Sequence, residues 1–343
     1  MIDRKRLIIA GIVAALFIVA LARTLIGPSP RGIQTDTRLL MGTLVTISVW
    51  GVEKGRAQPA MNAAFEEMAR IEARMSRFVA TSEVASLNAA ERGTWQPLSE
   101  ELERVMTLGM EIDGLSGGAF DIGLGPLSDL WGFSREPPPE TPPEPRDIRK
   151  WLEFRSARTG PGIEISEHRL RLANASVGLD LGGIAKGYAV DRAMEILERE
   201  GVAHALINAG GDMRIAGSKG GKPWHIGLRD PRQADGVVAV MDLKGSVAIS
   251  TSGDYERFFI HQGVRHHHIL DPATGHSARS GLMSVSIQAP GSFLADALST
   301  ALFVLGETKG LALLEKFPNS AALLIREDGS RIQTPGFIAV APP

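Results

Sequence analysis

The chain has 343 residues and a formal net charge of −2, with 44% hydrophobic and 22% charged residues. This balance, without a basic run interleaved with aromatic residues, argues against nucleic acid as a partner. The absence of cysteine excludes disulfides, thiolate metal sites and a cysteine nucleophile.

The N-terminus has the pattern of an export signal. Arg4, Lys5 and Arg6 precede an apolar run over residues 7–22, which ends in the small-x-small sequence ALA of a cleavage site. We predict a signal peptide or N-terminal membrane anchor over 1–27, with its basic side in the cytoplasm, and hence an exported, periplasmic protein. Cleavage and retention as an anchor both stay open.

We interpret 28–39 as a linker and 40–343 as a single domain. Residues 137–145 contain six prolines in nine positions and are predicted to form a surface excursion. Apolar spacing predicts helices over 57–75, 98–115, 184–200, 294–306 and near 308–316. Strands are predicted at 43–50, twice within 152–180, and at 205–215, 225–228, 237–243, 247–250, 284–289, 321–326 and 337–341. Strands grouped apart from helices predict an α+β fold.

Residues 179–191 (LDLGGIAKGYAVD) combine three glycines, an acid and a lysine where a loop is predicted to enter a helix. Gly182 and Gly183 let backbone N–H groups approach a ligand, and Asp180 accepts hydrogen bonds. Lys186 adds positive charge near a helix N-terminus, which favours an anion. The segment therefore suits a phosphorylated ligand, although a strand-to-helix turn packed with small residues explains the glycines equally well. It matches neither a Walker A loop nor the dinucleotide-binding glycine motif.

Asp296 and Thr300 lie four residues apart in the apolar helix predicted over 294–306, and therefore on one face. A buried carboxylate needs a partner. One interpretation is a hard cation such as Mg²⁺, which pairs one or two carboxylates with substrate phosphates. The other is an acid in the first helical turn, with Thr300 bonded back to its own helix.

Two further segments carry chemistry-bearing side chains. In 116–121 (SGGAFD), Phe120 and Asp121 suit stacking and hydrogen bonding to a nucleotide, or else a glycine helix end followed by a core phenylalanine. His266, His267 and His268 are consecutive. A soft-metal site is poorly supported without cysteine, and each histidine alone is more often structural than catalytic.

In chain order, these segments resemble the FAD:protein FMN transferase family (ApbE-type flavin transferases) over about residues 40–306. The matching segments are 41–43, 75–78 with 82–83 and 87–88, 116–121 with 125–127, 180–191, 208–212, 250–255, 268–275 and 296–300. The resemblance implies the family's fold, in which antiparallel β-sheets are surrounded by helices.

The resemblance also implies which residues bind which group. FAD is expected to contact Met41, Phe78, Ala119, Phe120, Asp121, Asp180, Lys186 and Leu270. Mg²⁺ is expected at Gly183, Ala185, Asp296, Ser299 and Thr300, where the family's position at Ser299 can carry an aspartate. The catalytic residue is expected to be His268, directly before the sequence ILDP, with Asp271 as a candidate to orient its imidazole and Thr274-Gly275 forming a turn.

The activity implied is Mg²⁺-dependent transfer of FMN from FAD to a Thr or Ser hydroxyl of an acceptor protein, with release of AMP. This is phosphoryl transfer, in which positioning and charge neutralisation dominate. Exported family members serve membrane electron-transfer complexes, including nitrous-oxide respiration partners, so an acceptor of that kind is expected. Two alternatives stay open: an FAD-binding accessory protein without catalysis, and an Mg²⁺-dependent FAD pyrophosphatase that uses water.

Overall fold

The structure, a computed structural model, describes residues 32–135, 139–157, 160–233 and 235–342. The predicted export segment at 1–27 lies outside these residues, as does part of the proline-rich stretch at 137–145.

Seven helices occur in the described residues. They are α1 (Lys54–Met75), α2 (Glu83–Ala89), α3 (Glu100–Ser116), α4 (Gly125–Trp131), α5 (Pro145–Ser156), α6 (Ala185–Arg199) and α7 (Ser292–Leu314). The predictions of α1, α3, α6 and α7 are confirmed to within a few residues at each end. The sequence prediction missed α2 and α4, which at seven residues each are too short to show a clear apolar period. It also missed α5. The prolines over 137–145 were assigned to a surface excursion, whereas the last of them, Pro145, begins the helix, since proline is favoured in the first helical turn.

The strands form one large sheet and four small ones. In chain order they are β1 (Ile33–Leu40), β2 (Thr43–Trp50), β3 (Gln96–Pro97), β4 (Ile163–Ser166), β5 (Arg169–Leu172), β6 (Ala205–Ala209), β7 (Asp212–Ala216), β8 (Trp224–Arg229), β9 (Val237–Leu243), β10 (Val247–Gly253), β11 (Phe258–His261), β12 (Val264–His267), β13 (Leu270–Asp271), β14 (His276–Ser277), β15 (Leu282–Ala289), β16 (Ala321–Arg326) and β17 (Arg331–Gln333). The large sheet is antiparallel throughout, in the order β1-β2-β6-β7-β10-β15-β16-β17. The small sheets are β3-β5-β4, β8-β9, β11-β12 and β13-β14.

Two opposed layers cover the large sheet. Within β16, Ala322 and Leu324 join a core that includes α1, α6 and α7, whereas Leu323 and Ile325 join a second core with the β8-β9 hairpin. Because successive strand residues point to opposite faces, the helices and the hairpin lie on opposite sides of the sheet. The expected α+β fold, with antiparallel sheets and surrounding helices, is confirmed.

Residues 33–40, interpreted as part of a linker over 28–39, form strand β1 instead. The strand pairs with β2 from Ile33↔Trp50 to Leu40↔Thr43, and its residues alternate between exposed and half-buried. The linker prediction was wrong here because an edge strand with polar residues on its open face lacks the apolar run of a central strand.

Two other strand predictions need correction. The single strand predicted over 205–215 is a hairpin, because Gly210 and Gly211 adopt positive φ angles of 61° and 100° and reverse the chain between β6 and β7. The strand predicted over 337–341 is reduced to a bridge between Val340 and Val240, and the last strand of the sheet is β17.

Helix α7 consists of two helical segments, as predicted, because Gly306 interrupts it with φ 74° and ψ −178°. In the described part of the chain, α7 alone has the length and mean hydropathy (1.4) of a membrane-crossing helix. Here it is a core element that packs against α6, β10 and β15, so its apolar surface is covered by protein.

Candidate functional site

The candidate site lies where neighbouring strands of the large sheet end in turns. The β1–β2 turn at Met41-Gly42 and the β6–β7 turn at Gly210-Gly211 are adjacent in the sheet order. A Cβ atom on Gly210 would lie 2.5 Å from the Thr43 hydroxyl oxygen, so the two turns are packed too tightly for a side chain there. Asp212, the first residue of β7, comes directly after the Gly210-Gly211 turn.

A lysine and two buried carboxylates form the centre of the site. Lys186 Nζ lies 3.0 Å from Asp212 Oδ2 and 3.7 Å from Asp296 Oδ2, and it donates to the Gly182 carbonyl oxygen at 3.2 Å. Both aspartates are 3% exposed. Burial alone would lower the pKa of Lys186, but attraction to Asp212 and Asp296 outweighs it and raises that pKa. Burial and repulsion from Asp212 raise the pKa of Asp296.

The second half of the 179–191 motif joins α6 to α7. The Gly187 N–H donates to Asp296 Oδ2 at 2.9 Å. One turn further along α6, Asp191 accepts hydrogen bonds from the backbone N–H groups of Ser292 and Phe293, both at 2.9 Å, and so caps the N-terminus of α7. These contacts place the Asp296 carboxylate beside Lys186.

Gly187→Ala is expected to destabilise the protein, because the two helices leave no room for a methyl group. A Cβ atom at position 187 would lie 2.2 Å from the Ser292 carbonyl oxygen and 2.7 Å from Asp296 Cβ. We expect a loss of about 1–3 kcal/mol or more in the free energy of unfolding, measured by denaturant titration. Gly114→Ala is the matched control: this helical glycine has nothing within 4 Å of its missing Cβ. It should be neutral or stabilising by up to about 1 kcal/mol. Equal effects at the two positions would contradict the tight α6–α7 contact.

A chain of hydroxyl groups links α7 to the end of β10. Ser252 Oγ lies 2.8 Å from Ser299 Oγ and 3.2 Å from Thr300 Oγ1. The Ser299 hydroxyl also donates to the Asp296 carbonyl oxygen of its own helix at 2.9 Å, and Ser299 is 1% exposed. The Ser299 hydroxyl therefore forms hydrogen bonds with Ser252 and with its own helix. Thr300, in contrast, is only half-buried, so its hydroxyl is more accessible to a ligand.

Gly183 meets both the hydroxyl chain and the predicted nucleotide-binding segment. A Cβ atom on Gly183 would lie 3.2 Å from Phe120 Cε2 and 3.3 Å from Thr300 Oγ1. The structure thus brings Gly183, Phe120 and Thr300 together from three distant parts of the sequence.

The donor chemistry of this region fits an oxygen-ligand cation. Among the described residues no group of three or more His, Cys, Asp or Glu side chains is arranged to hold a metal ion. Carboxylate, hydroxyl and backbone carbonyl oxygens are nevertheless the ligands that Mg²⁺ takes, usually with only one or two carboxylates. Asp296 and Thr300 offer such oxygens, and a bound cation would relieve the repulsion that raises the pKa of Asp296.

The three consecutive histidines have different surroundings. His266 is buried and packs against the rings of Trp131 (centroids 5.4 Å apart) and Phe259 (5.1 Å). His267 is also buried, and its Nε2 is bonded to the Ala278 carbonyl oxygen at 3.0 Å. His268 alone is exposed.

The environment of His268 favours a neutral imidazole. Surrounding protein lowers the pKa of His268, although the residue stays open to solvent, and the positive charges of Arg257 and Lys186 lower it further. The suggestion that Asp271 orients this ring is wrong. The Asp271 carboxylate instead accepts hydrogen bonds from the Ala273 N–H at 2.8 Å and the Thr274 hydroxyl at 2.9 Å. It thereby holds the predicted Thr274-Gly275 turn.

The remaining predicted FAD contacts differ in how accessible they are to a ligand. Phe78 is 62% exposed. Asp180 is held near the glycine loop, because its Oδ1 accepts from the Gly182 N–H at 3.0 Å and its Oδ2 lies 3.6 Å from Arg77. Ala119 is half-buried, and Met41, with φ 53°, forms the β1–β2 turn and donates its N–H to Glu72.

Two predicted FAD contacts have side chains committed to the protein. The Asp121 carboxylate is paired with Arg155 and accepts the Gly123 N–H at 2.6 Å. Leu270 is 6% exposed and packs in a small core with Trp131. Contact of these two residues with FAD stays a prediction. Ala185 is likewise buried, at the first position of α6.

Sequence reasoning singled out neither Asp212 nor Arg257 as site residues. Asp212 ends the NAGGD segment at 208–212, and an acid directly after a glycine pair was an available signal. Arg257 lies just beyond the 250–255 segment, and nothing in the local sequence distinguishes it from other arginines.

An exposed histidine lies near a lysine and two buried acids, at the end of an antiparallel sheet where the strands turn, and such a site suits a phosphorylated ligand together with a cation. Comparison with known proteins agrees. The sequence profile of the ApbE family matches residues 41–325. The chain is 34% identical over 329 residues to the FAD:protein FMN transferase of Rhodobacter capsulatus, covering 95% of this chain and 61% of that relative. It is 35% identical over 306 residues to the FAD:protein FMN transferase of Treponema pallidum, covering 84% and 83%.

Solved structures support the same assignment. The crystal structure of an ApbE protein of Thermotoga maritima matches with a TM-score of 0.79 and 36% identity, covering 88% of this chain and 97% of that one. The fold and the site therefore define a flavin transferase, of the FAD:protein FMN transferase class of enzymes. The chain belongs to the ApbE family.

Proposed function

We propose that this enzyme transfers FMN from FAD to a Thr or Ser hydroxyl of an acceptor protein, forms a phosphoester bond and releases AMP, with Mg²⁺ as the metal. The observation that carries the proposal is the placement of Lys186 beside both Asp212 and Asp296, with Thr300 one helical turn beyond Asp296 on α7. A diphosphate ester is cleaved by positioning and by neutralising its charge, and this cluster offers a cation and hard oxygen ligands at one place.

In the proposed reaction, one phosphorus–oxygen bond forms as another breaks, and the hydroxyl proton passes to a residue of the site. The acceptor hydroxyl oxygen attacks the phosphorus on the FMN side of the diphosphate, the bond from that phosphorus to the bridging oxygen breaks, and AMP leaves with that oxygen. The exposed His268 imidazole takes the hydroxyl proton. Lys186 attracts the diphosphate charge. When bound at Asp296 and Thr300, Mg²⁺ would supply further neutralisation of that charge.

An assay of three products separates this function from its alternatives. Purified protein is incubated with FAD and Mg²⁺, with and without membranes from cells that lack this chain. Free AMP, free FMN and protein-bound flavin are then measured. A transferase yields AMP and protein-bound flavin in equal amounts when membranes are present. A pyrophosphatase yields AMP and free FMN even without membranes. An accessory protein yields neither, and either of these last two results would overturn the proposal.

We propose further that the enzyme is exported and that its acceptor is a membrane electron-transfer protein. The basic and apolar segment over 1–27 supports export. We expect the full chain in the periplasmic or membrane fraction and a chain lacking residues 2–27 in the cytoplasm, with loss of flavin on exported acceptors. Equal distribution of the two chains among the fractions would contradict the proposed export.

A further inference from the structure

Arg257 joins the β1–β2 turn to the segment that carries His268. Its Nη2 donates to the Gly42 carbonyl oxygen at 3.4 Å, and a Cβ atom on Gly42 would lie 3.0 Å from the same nitrogen. The backbone carbonyl oxygen of Arg257 accepts the His268 N–H at 3.0 Å. The guanidinium therefore lies beside the Met41-Gly42 turn, and the main chain of the same residue positions His268.

The charge of Arg257 is not balanced by an acid. Among residues 32–135, 139–157, 160–233 and 235–342, Arg257 forms no ion pair, because the nearby acids have other partners. Asp254 binds Arg232 through two contacts of 2.7 Å, and Glu256 lies 3.8 Å from Arg229. Arg257 is also exposed. An exposed guanidinium held by a backbone carbonyl retains donors for an anionic ligand.

The field of Arg257 reaches the candidate site. Besides the effect of the surrounding protein, the charge of Arg257 lowers the pKa of His268. With its guanidinium beside the Met41-Gly42 turn and its carbonyl oxygen bonded to the His268 N–H, Arg257 lies on the side of the protein where the diphosphate would bind.

The charge balance of the proposed site indicates a role for Arg257. The diphosphate of FAD carries two negative charges, and Lys186 is outweighed by Asp212 and Asp296, so these three residues together have a charge of −1. A divalent cation would bring the site to +1. One more positive charge matches the diphosphate, and Arg257 supplies it.

We propose, on the basis of the proposed function, that the Arg257 guanidinium binds the diphosphate of FAD and stabilises the charge on the AMP phosphate as it leaves. Arginine suits this task because its planar array of donors matches phosphate oxygens. The cleaved bond leaves its electron pair on the bridging oxygen of AMP, and charge that develops in the transition state is what a preorganised cation stabilises best.

The test compares Arg257→Gln and Arg257→Lys with wild type for binding of FAD and of riboflavin, and for the transfer rate. Glutamine has a polar side chain with an N–H donor but carries no charge. We expect it to lower kcat/KM for FAD by about ten- to a hundred-fold and to weaken FAD binding. Riboflavin binding should be unchanged because riboflavin has no phosphate, and lysine should restore part of the loss.

Arg265→Gln is the matched control. Arg265 lies in the adjacent hairpin, where its guanidinium stacks on Phe258 at 3.7 Å and is 4.0 Å from Asp254, and it should behave as wild type. Wild-type FAD binding and transfer in Arg257→Gln would overturn the inference. So would equal losses of FAD and riboflavin binding, which would indicate a structural role. Failure of the wild-type protein to transfer FMN would instead contradict the proposed function, while the FAD–riboflavin comparison would still test Arg257.

Discussion

Asp296→Asn is expected to lower FMN transfer by about a hundred-fold or more, while the protein remains folded and binds FAD. Asparagine retains an oxygen for the Gly187 N–H, which donates to Asp296 at 2.9 Å, so the α6–α7 contact is preserved. It removes the negative charge that the proposed Mg²⁺ would need. The transfer rate is measured as flavin fluorescence on the acceptor against Mg²⁺ concentration, with thermal melting and FAD binding measured in parallel.

Ser299→Ala is the control for this prediction. Its hydroxyl is engaged with the Asp296 carbonyl oxygen and with Ser252, so we expect a loss of less than about ten-fold. A loss at Ser299 as large as that at Asp296 would make the Ser299 hydroxyl a direct ligand. An unchanged rate and Mg²⁺ dependence in Asp296→Asn would remove Asp296 from the proposed metal site.

The pH dependence of Mg²⁺ activation gives a second measurement on the same residue. Burial and the neighbouring Asp212 raise the pKa of Asp296, so a proton competes with the metal at a higher pH than for an ordinary carboxyl. The Mg²⁺ concentration for half-maximal rate should therefore fall as pH rises through neutrality. Asparagine cannot bind the competing proton, so the residual activity of Asp296→Asn should lack this component.

The parts of the fold that the sequence predicted best are those with a buried, regular period. The predicted bounds of β2, β9 and β16 agree with the structure, because each strand has a buried face or is buried almost throughout. The edge strand β1 was missed because none of its residues is fully buried, and the helices α2 and α4 because seven residues are too few to show a clear period. The two helices are also held by contacts with distant segments, such as Asn88 with Leu179 and Trp131 with Gly275, which a local period does not record.

The site shows the same division between local and distant information. Lys186 and the glycines beside it could be singled out because they are neighbours in the chain. Lys186 lies on α6, but its partner Asp212 lies on the β6–β7 hairpin, and the partner of Asp121, Arg155, is 34 residues away. Asp271 was suggested as a partner of His268 from sequence proximity, yet its carboxylate is satisfied within its own turn, where Asp side chains commonly bond the backbone two residues on.

His268→Ala is expected to retain FAD binding and to lose acceptor modification by about a hundred- to ten-thousand-fold, the usual contribution of a general base. Of the three consecutive histidines, it alone is exposed and can therefore reach the hydroxyl of an acceptor protein. The measurement is the initial rate of flavin attachment to the acceptor, with bound FAD determined separately by flavin fluorescence.

His266→Ala and His267→Ala test whether this loss belongs to the base or to the local fold. His266 packs against Trp131 and Phe259, and His267 contacts Phe303 with ring centroids 5.5 Å apart. Removing either ring leaves a cavity, so both variants should unfold at a lower temperature yet transfer FMN at near wild-type rates where folded. His268→Ala should show the reverse, a normal melting temperature with little transfer. Equal rate losses at all three positions would indicate a structural cluster, and a wild-type rate in His268→Ala would mean that the acceptor hydroxyl loses its proton to another group.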